Sequence, residues 1–319
     1  MAKSLPDAAS FVWQLIKEVR PRQWIKNFAL YTGLIFSGQL DNPDLVILAT
    51  KAFVIFCAAS SATYLLNDVF DVERDRLHPF KSKRPIASGK IPVKFAIALA
   101  LLTIFITFFL SYKVSPALFF AVVVYLLLQL CYSTFLKTAI LLDVMTIAAG
   151  FVLRVYAGVW TIDAHLNVWF LLTIVSFALF LAIGKRRSEL TLLQGQASKH
   201  RETLLHYPDA LLDILTSMFA NSTWLAYAFF TFLQPPISIS ARPKIGIILD
   251  NLALPFSQAK YLMATIPVVI YGVMRYLYII YEKKEGESPE RVLLTDQPLL
   301  IAVLLWLAMT LGIIYYLGA

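Results

Sequence analysis

The chain has 319 residues, of which 59% are hydrophobic and only 15% are charged, whereas soluble domains carry about 25% charged residues. A mean hydropathy of +0.70 implies more apolar surface than a soluble fold of this size can bury, which excludes soluble enzymes, disordered chains and disulfide scaffolds. The net charge of +8 favours an anionic membrane surface or anionic substrates. Nucleic acid is not an expected partner, because the basic residues are scattered between apolar segments.

Nine apolar segments are candidates for helices that cross the bilayer. Each is continuously apolar rather than alternating, which predicts α-helices and not a β-barrel. In chain order the segments are 25–38, 45–67, 92–111, 116–135, 138–160, 166–184, 211–233, 260–281 and 298–317. The predicted fold class is therefore all-α, a polytopic membrane protein in which residues 1–319 form a single integral membrane domain.

Lysine and arginine gather strongly on one side of these segments. They precede the first span and fill the connections after the second, sixth and eighth spans. The positive-inside rule then places the N-terminus and two long polar loops, residues 67–91 and 184–210, in the cytoplasm. We expect a multi-pass protein of the cell (inner) membrane whose working face is cytoplasmic.

A run of carboxylates begins where the second span ends, in the sequence NDVFDVERD at residues 67–75. Asp68, Asp71 and Asp75 stand at i, i+3 and i+7, so a helix would carry all three on one face. Mg²⁺ would relieve their mutual repulsion, and it commonly bridges one or two carboxylates to substrate phosphates. We interpret the three as catalytic metal ligands; the competing interpretation is a solvated helix end paired with neighbouring arginines.

Basic residues follow this motif at positions suited to phosphate. Lys83 and Arg84 lie in the sequence KSKRPIASGK at 81–90, where arginine offers a planar fork and lysine a point charge. Lys137, five residues after Tyr132, stands at the cytoplasmic mouth of the fifth span. Ordinary positive-inside residues are the competing explanation. Arg154, inside the same span, is expected to be structural and paired within the bundle, and Glu18 is given no role.

NDxxDxxxD at the end of the second span, the KxRPIASG stretch and nine spans together resemble the UbiA superfamily of intramembrane prenyltransferases, over essentially the whole chain. The resemblance implies a central cavity facing the cytoplasm and a Mg²⁺-diphosphate bound at two Asp-rich motifs. The second Asp-rich motif is absent, since the sixth span ends in GKRRSEL at 184–190. This segment and RPRQWIKN at 20–27 resemble one branch, the decaprenyl-phosphate phosphoribosyltransferases.

That branch implies a Mg²⁺-dependent transfer of a 5-phosphoribosyl group from phosphoribosyl diphosphate to a polyprenyl (decaprenyl) phosphate, releasing diphosphate, in the synthesis of cell-wall arabinan precursors. The metal ligands expected from it are Asp68, Asp71, Asp75 and Glu189. The expected substrate-binding residues are Lys26, Asn67, Lys83, Arg84, Tyr132, Lys137, Lys185, Arg186, Arg187 and Glu189. Two alternatives stay open: an aromatic or haem prenyltransferase that uses a prenyl diphosphate, and a membrane transporter. The oligomeric state is also open, a homo-oligomer included.

Overall fold

The structure is a computed structural model that describes residues 8–77, 81–192, 207–234, 260–283 and 288–317. Within these ranges the chain is helical and contains no strand. The α-helices are α1 (Ala8–Val19), α2 (Thr32–Phe36), α3 (Pro43–Phe70), α4 (Val72–Leu77), α5 (Val93–Val114), α6 (Pro116–Thr134), α7 (Leu142–Thr161), α8 (Val168–Leu192), α9 (Asp209–Leu233), α10 (Ile266–Tyr278), α11 (Pro289–Thr295) and α12 (Gln297–Gly312). The 3₁₀ helices are Pro21–Tyr31, Lys81–Lys83, Leu136–Thr138 and Tyr261–Thr265, and π-helical turns occupy Ile279–Lys283 and Ile313–Leu317.

Seven helical segments in the described part of the chain are long and apolar enough to cross a membrane. They are Pro43–Phe70, Val93–Val114, Pro116–Thr134, Leu142–Thr161, Val168–Thr191, Tyr261–Lys283 and Gln297–Tyr316. This confirms an all-helical membrane protein but not the predicted count of nine spans. Of the other two predicted spans, 211–233 lies in the 25-residue α9, whose apolar run is interrupted by polar residues such as Ser217, Asn221 and Ser222.

The predicted first span, 25–38, is not one continuous α-helix. Its sequence is divided between the 3₁₀ helix Pro21–Tyr31 and the five-residue α2. The physical reason lies in the polar residues Lys26 and Asn27, which interrupt the apolar run and contact distant parts of the chain, as does Gln23 just before them.

Helix α7 lies at the centre of the packing, where it contacts α3, α6, α8, α2 and the 3₁₀ helix Pro21–Tyr31. Its buried positions include Ala148, Gly150, Ala157 and Gly158, and small residues of this kind let membrane helices approach closely. Helices α8 and α9 pack along each other, as do α3 and α5. Helices α3 and α8 both pack against α7.

The buried guanidinium of Arg154 ties the 3₁₀ helix Pro21–Tyr31 to this centre. It donates to Asn27 Oδ1 at 2.8 Å, to the hydroxyl of Tyr125 at 2.8 Å and to the carbonyl oxygen of Gly150 at 2.6 Å. The expectation of a structural arginine paired inside the bundle is confirmed. Neutral oxygen atoms therefore accept the hydrogen bonds of this buried guanidinium, in keeping with the rule that buried polar groups are hydrogen-bonded.

Gly158 allows the backbone of the same 3₁₀ helix to lie directly on α7. A Cβ at this position would be 1.9 Å from the carbonyl oxygen of Leu30, which is a backbone atom and cannot turn aside. Gly158→Ala is therefore expected to lower the free energy of unfolding by about 1–3 kcal/mol or more, the range for overpacked interiors, and to lower the Tm in detergent. Gly272→Ala is the control, because a Cβ there meets nothing within 4 Å. An equal Tm for both variants would contradict the close approach.

Asp296 fastens the start of α12 to α10 and to the turn that follows it. It accepts hydrogen bonds from Arg275 at 2.9 and 3.0 Å, from Lys283 at 2.7 Å and from the backbone N–H of Leu299 at 3.1 Å. The hydrogen bond from Arg275 is the largest influence, and it holds the pKa of Asp296 well below the ordinary aspartate value, while burial acts in the opposite direction.

We therefore expect Asp296→Asn to lower the Tm at neutral pH. A depressed carboxyl pKa stabilises the fold above the unfolded-state pKa, near 4, and this contribution is lost as the pH falls through the folded-state value. The difference in Tm between parent and variant should accordingly shrink in acid. A difference that stays constant from pH 7 to pH 3 would show that the carboxylate charge is not what matters.

Candidate active site

Two aspartates converge on one arginine at the junction of α3 and α4. Asp68 is only 2% exposed and accepts hydrogen bonds from Arg20 and, at 2.8 Å, from Nη1 of Arg84. The same Nη1 atom donates to Asp75 at 2.7 Å. Nη1 of Arg84 thus lies between the carboxylates of Asp68 and Asp75. The sequence predicted both on one face of a single helix, but helix α3 ends between them, at Asp71.

Asp71 faces a different cation. Its Oδ1 accepts a hydrogen bond of 2.8 Å from Nζ of Lys137, which lies in the 3₁₀ helix Leu136–Thr138. This pair joins the end of α3 to the connection between α6 and α7. Lys83 is a neighbour of Arg84 in the chain, and its side chain is exposed.

The donor atoms at this junction suit a small hard cation that is also held by substrate. Asp68 and Asp75 converge, and the buried side-chain oxygen of Asn67 has no hydrogen-bond partner. In the described ranges, no three His, Cys, Asp or Glu side chains are grouped closely enough to hold a metal by themselves. This fits Mg²⁺, which commonly takes one or two protein carboxylates and completes its shell with phosphates and water. The predicted four-carboxylate set is not preassembled.

The segment RPRQWIKN reaches the site from the N-terminal side. Arg20 lies over the ring of Tyr64 at 5.0 Å, and the Tyr64 hydroxyl donates to Oε1 of Gln23 at 3.3 Å. Lys26 donates to the same Gln23 oxygen at 2.6 Å and lies 3.5 Å from Glu290. The N-terminal motif therefore joins the aspartates to α11, near the other end of the chain.

Glu290 was not expected from the sequence. It accepts a hydrogen bond from Gln23, a residue 267 positions away in the chain, and nothing in the local sequence PERVLLT signals that contact. Burial raises the pKa of Glu290, but the charges of Lys26 and Lys185 and the hydrogen bond from Gln23 outweigh it and lower that pKa.

Glu18 was also missed. Its side chain is buried in α1 next to Asp68, and burial together with Asp68 raises the pKa of Glu18 to about 8. Two acids this close favour the protonated form of one of them. A lone glutamate in an amphipathic N-terminal helix gives no sign of this position, so the sequence could not reveal it.

A second cluster surrounds Arg186 at the end of α8. Arg186 is 1% exposed and donates through Nε to Asp143 at 2.7 Å, through Nη1 to Glu189 at 2.5 Å and through Nη2 to the hydroxyl of Tyr132 at 3.5 Å. Lys185 lies 3.9 Å from Glu189. All three nitrogens of the guanidinium are therefore engaged with side chains of the protein.

Arg187 points in another direction. It pairs with Asp213 at 2.6 Å and Asp209 at 3.3 Å, both on α9, and it lies over the ring of Tyr281. Of the three consecutive cations of GKRRSEL, the structure thus brings Lys185 and Arg186 to the site and turns Arg187 towards α9.

These acids and bases form several ion-paired groups at one end of the helices, and we refer to them together as the charge ring. Its members are Arg20, Lys26, Asp68, Asp71, Asp75, Arg84, Lys137, Lys185, Arg186, Glu189 and Glu290. They come from segments far apart in the chain and carry both signs of charge, so the ring can hold a polyanion and a cation together. Fold and site thus define a polytopic membrane protein with a charged site at one end of its helices.

Comparison with known proteins identifies the family. The sequence matches the UbiA prenyltransferase family over residues 27–295. It is 34% identical to the decaprenyl-phosphate phosphoribosyltransferase of Mycolicibacterium smegmatis over 306 residues, covering 95% of this chain and 92% of the relative. It is 31% identical to the enzyme of that name from Mycobacterium tuberculosis, covering 94% of each chain.

The fold is shared with solved structures. A UbiA homologue from Archaeoglobus fulgidus, solved with GPP and Mg²⁺, superposes with a TM-score of 0.66 at 20% identity and covers 94% of this chain and 99% of its own. This chain belongs to the UbiA prenyltransferase family.

Proposed function

We propose that this protein transfers a 5-phosphoribosyl group from phosphoribosyl diphosphate to a polyprenyl (decaprenyl) phosphate and releases diphosphate. The observation that carries the proposal is 31–34% identity, over nearly the full length of both chains, to relatives named decaprenyl-phosphate phosphoribosyltransferase. Lys185 at the end of α8 and Lys26 support it, because this substrate pair brings two phosphates in addition to the diphosphate. Formation of cell-wall arabinan precursors would be the role of the product.

The reaction breaks the bond between the anomeric carbon of ribose and the diphosphate oxygen, which leaves with the electron pair. A lipid phosphate oxygen forms the new bond to that carbon. This oxygen is already ionised at neutral pH, so the mechanism needs no general base. Mg²⁺, when bound, supplies positive charge that neutralises the leaving group.

The residues of the chain divide the remaining work. Asp68, Asp71 and Asp75, with Glu189 from α8, are the proposed metal ligands, and the buried oxygen of Asn67 adds a neutral one. Arg84 and Lys137 lie against these aspartates and are suited to the diphosphate. Lys26 pairs with Glu290 and Lys185 with Glu189, and both suit the 5-phosphate or the lipid phosphate. Fixed charges aimed at the leaving group are the largest common contribution to catalysis.

The test is a direct assay. Purified protein in lipid nanodiscs is given labelled phosphoribosyl diphosphate and polyprenyl phosphate, with Mg²⁺ or with excess EDTA. We expect a labelled lipid that forms only with the metal. Transfer of a prenyl group from prenyl diphosphate to an aromatic acceptor, with no labelled ribosyl lipid, would support the competing prenyltransferase function and overturn this one. Transport of the donor into sealed vesicles without chemistry would support the transporter alternative.

We also propose that the charge ring lies on the cytoplasmic side of the inner membrane, because Lys and Arg are concentrated in the connections on that side of the predicted spans. Single cysteines at Ser82 and Ser240, in a background where Cys57 and Cys131 are replaced, should react from opposite sides of the membrane. An impermeant thiol reagent added to intact cells is expected to label Ser240→Cys and not Ser82→Cys. Labelling of Ser82→Cys from outside would reverse the topology.

A further inference from the structure

Three buried side chains between α7, α8 and the start of α9 form a network that the proposed reaction does not use directly. Asp143 is fully buried, and its Oδ2 accepts from Arg186 at 2.7 Å while its Oδ1 accepts from the hydroxyl of Tyr207 at 2.7 Å. Arg186 in turn holds Glu189. A buried ion pair is seldom more stabilising than apolar residues of the same volume, so stability alone does not account for these groups.

The Tyr207 hydroxyl also holds the other side of the site. It accepts a hydrogen bond of 2.7 Å from the backbone N–H of Leu141. Leu141 has a positive φ of 66°, a conformation that is unfavourable for a residue with a side chain and that persists only where the surroundings fix it. Four residues earlier in the chain, Lys137 is paired with Asp71.

One hydroxyl therefore connects two parts of the charge ring. Through Leu141 it fixes the backbone that follows Lys137, and through Asp143 and Arg186 it fixes the carboxylate of Glu189. Arg186 has all three nitrogens occupied by Asp143, Glu189 and Tyr132, which leaves it suited to orienting its neighbours rather than to binding a phosphate.

We propose that Tyr207 and Asp143 are positioning residues, which set Glu189 through Arg186 and Lys137 through Leu141 so that both meet the phosphoribosyl donor. The proposal rests on the proposed function for the identity of the donor. It also changes the predicted role of Arg186 from phosphate ligand to bridge between side chains.

The chain contains a matched control for this network. Arg187 donates to Asp213, and Asp213 accepts a hydrogen bond of 2.8 Å from the hydroxyl of Tyr281. This second group of Arg, Asp and Tyr has the same chemistry and involves the very next arginine, but it lies against α9. Tyr207→Phe and Tyr281→Phe therefore each remove a hydroxyl that donates to an aspartate paired with an arginine. Only the Tyr207 hydroxyl is buried and also accepts from the backbone N–H of Leu141, and only the first change affects the charge ring.

The experiment compares these two variants with the parent. We expect Tyr207→Phe to raise the KM for phosphoribosyl diphosphate and the Mg²⁺ concentration needed for half-maximal activity by about 10-fold or more, as is usual when an outer partner of a ligand is lost. The KM for the lipid should stay unchanged. Donor binding measured by calorimetry in the presence of Mg²⁺ should weaken by the same factor. Tyr281→Phe should match the parent in each measurement.

Replacement of Arg186 distinguishes between two roles for this residue, a bridge between side chains and a ligand of phosphate. Arg186→Lys keeps the charge but cannot reach three partners at once, so a bridge predicts a loss as large as that of Arg186→Ala. Substantial rescue by lysine would overturn the bridging role, as would unchanged donor binding in Tyr207→Phe. If Tyr207→Phe is not recovered as a folded protein, Asp143→Asn decides, because Asp143 joins Tyr207 to Arg186, and a shift in the same direction is expected. A parent that makes no labelled lipid would instead contradict the proposed function.

Discussion

Asp71→Asn is expected to lower the rate of phosphoribosyl transfer by about 100-fold or more, which corresponds to about 2.7 kcal/mol of transition-state stabilisation. The change keeps the size of the side chain but removes a charge that the proposed metal ligands need. Asp71 is the best of the three aspartates for this test, because its contact is with Lys137 near the surface of the site and its loss leaves the buried pairs of Asp68 intact. The measurement is initial rate at saturating Mg²⁺ and donor.

The fold should survive this change. We expect the elution profile and Tm of Asp71→Asn to match those of the parent. Asp68→Asn makes a useful contrast, since Arg20 and Arg84 would both lose a buried partner and stability should fall together with activity. Near-normal turnover of folded Asp71→Asn would remove Asp71 from the catalytic group.

Lys185→Ala is expected to weaken donor binding by about 1.5–3 kcal/mol, the range for hydrogen bonds to charged groups. The amine lies 3.9 Å from Glu189 and its side chain is 37% exposed, so Lys185 can change partners when a phosphate arrives. The measurement is the KM for phosphoribosyl diphosphate and for ribosyl diphosphate without the 5-phosphate. If Lys185 binds that phosphate, the variant should discriminate less between the two donors than the parent does.

Lys90→Ala is the control, because Lys90 is an exposed lysine that is not a member of the charge ring. It should leave both KM values unchanged. Equal losses by Lys185→Ala on both donors would instead indicate that Lys185 binds the lipid phosphate or the diphosphate.

Much of the architecture could be predicted because lipid imposes a simple rule. A helix that crosses the bilayer must be long and continuously apolar, and seven of the predicted segments correspond to helices of that kind. The rule fails at residues 25–38, where contacts made by Lys26 and Asn27 with distant residues decide the local structure. The predicted span 211–233 does form a helix, α9, but polar side chains interrupt its apolar run: Thr216 and Thr223 are buried, whereas Asn221 is exposed.

The aspartates of the site could be predicted more fully than the residues that contact them. Helical spacing predicts that Asp68, Asp71 and Asp75 share one face. Asp68 and Asp75 do meet at Arg84, which follows them closely in the chain, whereas Asp71 pairs with Lys137. Glu18, Asp143, Tyr207 and Glu290 take part through contacts that tertiary packing alone creates. Asp143 stands out in the sequence as a charged residue inside the predicted span 138–160, but its partners do not. Nothing in the local sequence of Glu18, Tyr207 and Glu290 signals their contacts, which is why sequence reasoning gave them no role.

Each carboxylate of the charge ring already has a cation of the protein as its partner. A metal and a polyphosphate can enter only if those partners are exchanged, the carboxylates turning to the metal and the lysines and arginines turning to phosphate. The metal alone would leave the lysines and arginines unpaired, and the polyphosphate alone would leave the carboxylates unpaired. Bound together, the two ligands provide partners for the charges of both signs. We therefore expect the two to bind with positive cooperativity, and thermodynamic linkage requires that each strengthens the binding of the other by the same factor.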